Sequence, residues 1–180
     1  MCSSLANQGR SDPVLPLIRT LFDITMLRKG PESIPRAGVL FIMVIGLWLF
    51  SSFAALALIE QYDESDFVIG VLTGMIGVLA YALLVLAFGY SDRVLQTVSA
   101  IMGCGALISF VFVAEYVLFM PFLGATVTGI VAQLILLWSV PVEGHIIARA
   151  IGQHWYIGIL IAIGVFIVQY LIYSIISNSP

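Results

Sequence analysis

Charge is what this chain has least of. Only 9% of its 180 residues are Asp, Glu, Lys or Arg, against roughly 25% in an ordinary soluble domain, so water is not the solvent of the folded state. The seven basic residues are scattered, with no basic block and no nucleic-acid-binding patch. The formal net charge of -3 is a sum over a few separate places and points to no partner. Cysteine is equally scarce. Cys2 lies in a polar preamble and Cys104 inside an apolar run, so no disulfide framework is expected. Catalytic signatures are missing too: the chain has no HExxH, no nucleophile elbow and no glycine-rich loop after a strand, hence neither enzyme machinery nor a cofactor is expected. Glu143, His145 and His154 offer metal-ligand atoms, but spacings of two and nine match no zinc signature and no metal is expected. Residues 1–11 lack the short apolar core of a signal peptide, so the first long apolar run should stay in the mature protein.

What the chain has instead is apolar length. It is 61% hydrophobic with a mean hydropathy of +1.12. Five runs approach or exceed the roughly 20 residues that cross a bilayer core, at about 37–59, 67–89, 94–114, 122–140 and 155–176. None shows the period-two alternation of a barrel strand, so the expected fold is all-α, a polytopic domain over residues 37–176. Residues 1–12 are polar and expected to be loose. Residues 13–35 form a preamble and junction in which Leu17, Ile18, Leu21, Phe22, Ile24 and Met26 interleave with Arg19, Asp23, Arg28 and Lys29. About 14 residues are too few to span. The spacing predicts an amphipathic helix that starts near Pro13 and Pro16 and stops at Gly30 and Pro31. It lies either in the membrane interface against anionic lipid or on the ends of the other helices.

Five basic residues, Arg10, Arg19, Arg28, Lys29 and Arg36, sit at or before the junction, which places the N-terminus in the cytoplasm. With five crossings Arg93 and Arg149 fall on that same side, no basic residue falls on the other, and the tail 177–180 ends outside. Residues 60–66, EQYDESD, read as an outer loop, 90–93 and 142–154 as inner ones, and 116–121 as a short outer turn. The short loops and lack of an address signal suit a bacterial inner membrane.

Few polar residues interrupt the apolar runs. Tyr81, Gln133 and Gln169 lie deep and suit either hydrogen bonds between helices or, with Glu115, a polar path. Glu115 follows 21 apolar residues and is expected at the outer interface, in water. Gly70, Gly74 and Gly77 form a small-residue stripe, and Gly103 marks a similar surface on the third span; both suit close helix packing. Arg19, Arg28, Lys29 and Arg36 are the candidate membrane-surface cations.

Gly30 and Pro31 shortly before the first span, and Gly89, Tyr90 and Ser91 at the start of the third, resemble the Gly-Pro and Gly-Tyr motifs of the Yip1-domain family, small five-span membrane proteins with a cytoplasmic N-terminus. The likeness covers roughly residues 15–176. The Asp-Leu that precedes Gly-Pro in eukaryotic members is replaced by Arg28 and Lys29, so binding to Rab-type GTPases is not implied. The junction looks more like bacterial members, for which the resemblance implies an inner-membrane protein with no assigned reaction. The expected function is a non-enzymatic interaction or scaffold protein that docks to membrane partners or to itself. The alternative is a small oligomeric channel or transporter.

Overall fold

A computed structural model describes residues 14–59 and 64–177; the expectations for 1–12, for Pro13, for the acids of 60–63 and for the tail beyond Ser177 lie outside these. The described residues are helical, with no strand among them. The helices are α1 (Val14–Thr25), α2 (Gly38–Leu58), α3 (Glu64–Ala87), α4 (Val94–Leu137), α5 (Ser139–Ala150) and α6 (Trp155–Ser177), with single 3-10 turns at Pro31–Ser33 and Ser91–Arg93. Among the described residues four stretches, Gly38–Leu58, Phe67–Ala87, Ser91–Ala150 and Trp155–Ile176, are long and apolar enough to cross a membrane.

The third of these is 60 residues long, far beyond one crossing, and it does not run straight. A straight α4 would hold Ile108 about 40 Å from Ile135. Instead Leu107, Ile108 and Val111 share the wall of one apolar cavity, about 420 Å³, with Val131, Ile135 and Trp138. The helix therefore folds back on itself, and the reversal is at Gly124, whose φ of 73° and ψ of 164° interrupt an otherwise helical run. That conformation is open essentially to glycine alone. The expected outer turn at 116–121 is thus displaced: the first arm continues helically through those residues, and Pro121 lies inside it.

The first arm is the spine of the bundle. Arg36 pairs with Gln96 and Phe50 with Phe110, each sixty positions apart, so α2 and the first arm run parallel in constant register. Leu17, Leu21 and Ile24, on one face of α1, are buried. Leu21 lies over Gly103, where a Cβ would clash with its side chain, and Cys104 Sγ is 3.6 Å from the Leu21 carbonyl. Trp138 Nε1 donates to the Thr25 carbonyl at 3.2 Å, tying α1 to both arms. The other apolar stripe of α1, Ile18, Phe22 and Met26, stays exposed.

Three helices end alike. After α1, α3 and α5 a residue of positive φ (Leu27, Gly89, Gly152) is followed by an N–H that bonds five residues back, Arg28 to Asp23, Tyr90 to Val85 and Gln153 to Ala148. This is the Schellman stop, normally built on glycine. The first helix was expected to stop at Gly30 and Pro31. It stops earlier, on Leu27, because those capping bonds close there, while Pro31 opens the next 3-10 turn.

The segment 142–154, expected as an inner loop, is mostly helix. Pro141 occupies the first turn of α5, where its missing N–H costs no helical bond, and seven of the twelve residues of α5 are buried. The expected fourth run, 122–140, therefore extends through α5 after a short break at Trp138. α5 then turns at Gly152 and lies against α6. Here the backbones touch: a Cβ on Gly158 would fall on the Gly144 carbonyl oxygen, and one on Gly144 would stand 2.9 Å from the Ile159 Cα. Gly158→Leu should therefore destabilise the protein by about 3 kcal/mol, the upper end for overpacking, since backbone cannot move aside. Gly46→Leu, in open space, should leave the thermal midpoint in mild detergent unchanged.

Candidate functional site

The polar side chains gather in three places. The first is the end of the bundle that holds the junction. Gln96 is the hub: its amide donates to the Ile34 carbonyl at 2.7 Å, and its oxygen accepts from Arg36 Nε at 3.1 Å. Arg36 also pairs with Asp92 at 3.0 Å. Arg93 donates to the Ala150 carbonyl at 3.2 Å and stacks over the Tyr90 ring. Arg149 lies 3.8 Å from Glu32, and His145 Nε2 is 3.1 Å from the Lys29 carbonyl. Residues 28–36, the turn at 90–93 and α5 thus meet in one charged rim. Arg19 and Asp23 share the polar side of α1, but the close partner of Asp23 is Lys29 at 2.7 Å. That ammonium holds the carboxyl below its ordinary range. Of the four candidate surface cations, Lys29 and Arg36 are in ion pairs, while Arg19 and Arg28 are exposed.

The second place is the helix interior. The Tyr81 hydroxyl, fully buried on α3, donates to Glu143 Oε2 of α5 at 2.6 Å. Gln169 of α6 donates to the Thr73 carbonyl of α3 at 2.9 Å. Each polar group is satisfied across a helix pair, as membrane packing requires. The glycine stripe works differently from the expected flat face. Gly74 makes room for the Trp48 ring and Gly77 for the Gln169 amide, so two adjacent glycines serve two different neighbours; Gly70 gives its carbonyl to the Thr73 hydroxyl.

The third place is the hairpin of α4. Glu115 was expected in water; it is 6% exposed, and both carboxylate oxygens lack a hydrogen-bond partner among the described residues. The reason is the displaced turn, which leaves Glu115 more than two helical turns short of the reversal. Thr128, fully buried on the second arm, also lacks a partner for its hydroxyl. Gln133 points the other way. It is exposed on the outward face of the second arm, beside Ala125, Thr126 and Gly129, and makes no side-chain hydrogen bond among the described residues. Its level is that of residues 107–111, which share the cavity wall with 131–138, and hence that of Phe50, near the middle of α2.

Tyr81, Glu115, Gln133 and Gln169 therefore do not converge on one path. Glu143, weighed from sequence only as a metal ligand, is the partner of Tyr81, and no metal-ligand cluster occurs among the described residues. Gln96 and Thr128 were missed. A glutamine one turn past an inner arginine was a readable signal for Gln96. Thr128 had none, because its burial depends on where the chain reverses.

Fold and site together define a class: an all-helical chain whose four long apolar stretches are compatible with an integral membrane protein. No family model, curated protein or solved structure matches it.

Removing the Tyr81 hydroxyl strands a half-buried carboxylate, which costs more than the bond itself is worth. Tyr81→Phe should lose about 2–3 kcal/mol by thermal unfolding in mild detergent, and the double variant Tyr81→Phe, Glu143→Leu should regain most of it.

Proposed function

We propose that this chain is a five-crossing membrane protein with a cytoplasmic N-terminus and an external C-terminus, acting as a non-enzymatic interaction or scaffold component that associates with a second copy of itself. In this reading the two arms of α4, the second prolonged by α5, are the third and fourth crossings. The charged rim is cytoplasmic, in keeping with the gathering of Arg36, Arg93 and Arg149 at one end. α1 lies in the inner interface, its buried stripe on α4, its exposed Ile18, Phe22 and Met26 in lipid, and Arg19 and Arg28 toward anionic head groups. A bacterial inner membrane and a Yip1-like role fit this arrangement. Gly89 and Tyr90, which carry part of that likeness, form the stop of α3 and the stacking partner of Arg93.

The observation that carries the reading is the Gln133 amide. An unpaired amide near the middle of a bilayer costs several kcal/mol, and this one looks outward with no hydrogen-bond partner among the described residues. An amide is both donor and acceptor, so two copies related by a two-fold axis satisfy each other. Gly129, whose Cβ position meets nothing within 4 Å, leaves room for the second backbone at its side, as small residues do in membrane helix pairs.

Energy transfer between labelled copies in liposomes tests this. Wild-type protein should associate, and Gln133→Leu should weaken association by about 1–2 kcal/mol, five- to thirty-fold, without loss of helicity. Gly129→Leu should weaken it as well. A wild-type monomer at dilute protein-to-lipid ratios would overturn the reading.

The alternative, a small channel or transporter, draws on one specific feature, the unpartnered oxygens of Glu115 and Thr128.

A further inference from the structure

Glu115 continues the stripe of Ile108 and Val111, seven and four residues before it. Thr128 continues the stripe of Val131 and Ile135, three and seven residues after it. Those two stripes line one cavity from opposite arms, so their continuations face each other at the next level toward the reversal at Gly124. Both side chains are more than nine-tenths buried, and among the described residues none of Glu115 Oε1, Glu115 Oε2 and Thr128 Oγ1 has a hydrogen-bond partner. They do not bond to each other. The register of α2 places Glu115 beside Ala55, about one turn inside the end of that helix at Leu58. α2 and the second arm carry no charged residue to neutralise it.

We infer that Glu115 and Thr128 form a binding site for a monovalent alkali cation of the sodium class. The chemistry selects that ligand. An uncompensated carboxylate removed from water costs several kcal/mol, and the three free atoms are oxygens, which hard cations prefer. One negative charge matches one positive charge; calcium sites use several carboxylates. An alkali ion carries the matching charge and takes oxygen ligands of this kind. The site is independent of the association face at Gln133, which lies on the outward side of the second arm.

A carbodiimide that partitions into apolar sites modifies buried carboxyl groups, and a bound cation shields them. The test is the rate of dicyclohexylcarbodiimide addition to Glu115, followed by mass spectrometry on the full chain in liposomes at fixed pH and ionic strength, with sodium chloride against choline chloride. At sodium tenfold above its dissociation constant, mass action predicts a rate about tenfold lower. Thr128→Ser should keep the protection and Thr128→Val should lose most of it, with both variants helical and uniform on gel filtration. Equal rates in sodium and choline, or a rate that responds to pH alone, would overturn the assignment. So would protection that survives in Thr128→Val.

Discussion

The reversal at Gly124 is the constraint on which the rest of the structure depends. A residue held at positive φ with extended ψ is available to glycine at little cost and to other residues only with strain, so one position fixes where the longest helix turns back. Once it turns there, the second arm descends along the first, Trp138 arrives at the carbonyl of Thr25, and α5 is delivered into the end of the bundle where Tyr81 meets Glu143. α1 then has two arms to pack against instead of one. The junction after it can close on Gln96, Asp92 and Arg149 because their helix ends have been brought together.

Packing around this hairpin follows the logic of a protein without a hydrophobic driving force between its helices. Helices in lipid associate through close contact and internal hydrogen bonds, and both devices are on display. Gly144 against Gly158 allows backbone contact between α5 and α6, and Gly103 takes the Leu21 side chain. The Tyr81–Glu143 and Gln169–Thr73 bonds each link α3 to a different partner. Much of the apolar surface left over on α2, α3 and α6 stays exposed, which in water would be a liability and in a bilayer is the solvation the chain was built for.

How much of this was legible in the sequence depended on whether the signal was local. Apolar runs, scarce charge and the basic junction announced helices and their approximate limits, because length and hydropathy are read one segment at a time. The same segment-by-segment reading misplaced α5. Glu143, His145 and Arg149 made residues 142–154 look like a polar loop, although Val142, Ile146 and Ala150 recur at helical spacing and form its buried side. The outer turn was drawn to Glu115 and Pro121, the polar and helix-breaking residues, while Gly124 was one glycine among sixteen. Proline near the end of an arm is tolerated, so the conspicuous breaker was not the break. The site suffered most from this. Burial of Glu115 and Thr128 is a property of two arms folded together, and neither residue announces it alone.

A census of polar groups in the apolar interior separates framework from function. Buried polar groups in folded proteins are satisfied with few exceptions, and each exception calls for a reason. In this chain Gln96, Tyr81, Glu143 and Gln169 all find partners within the fold, and each joins segments distant in sequence, so their contribution is structural. Among the described residues the buried Glu115 and Thr128 and the exposed Gln133 do not, and all three belong to one element, the hairpin of α4. Two look inward between the arms and one looks outward, so no single partner can answer all of them. The inward pair is buried, while the outward amide is exposed beside Gly129. Selection for stability alone would replace each with an apolar residue, as buried ion pairs can be replaced without loss. Their concentration in the hairpin is why both proposed contacts fall on that element, and the satisfied remainder of the bundle holds it in place.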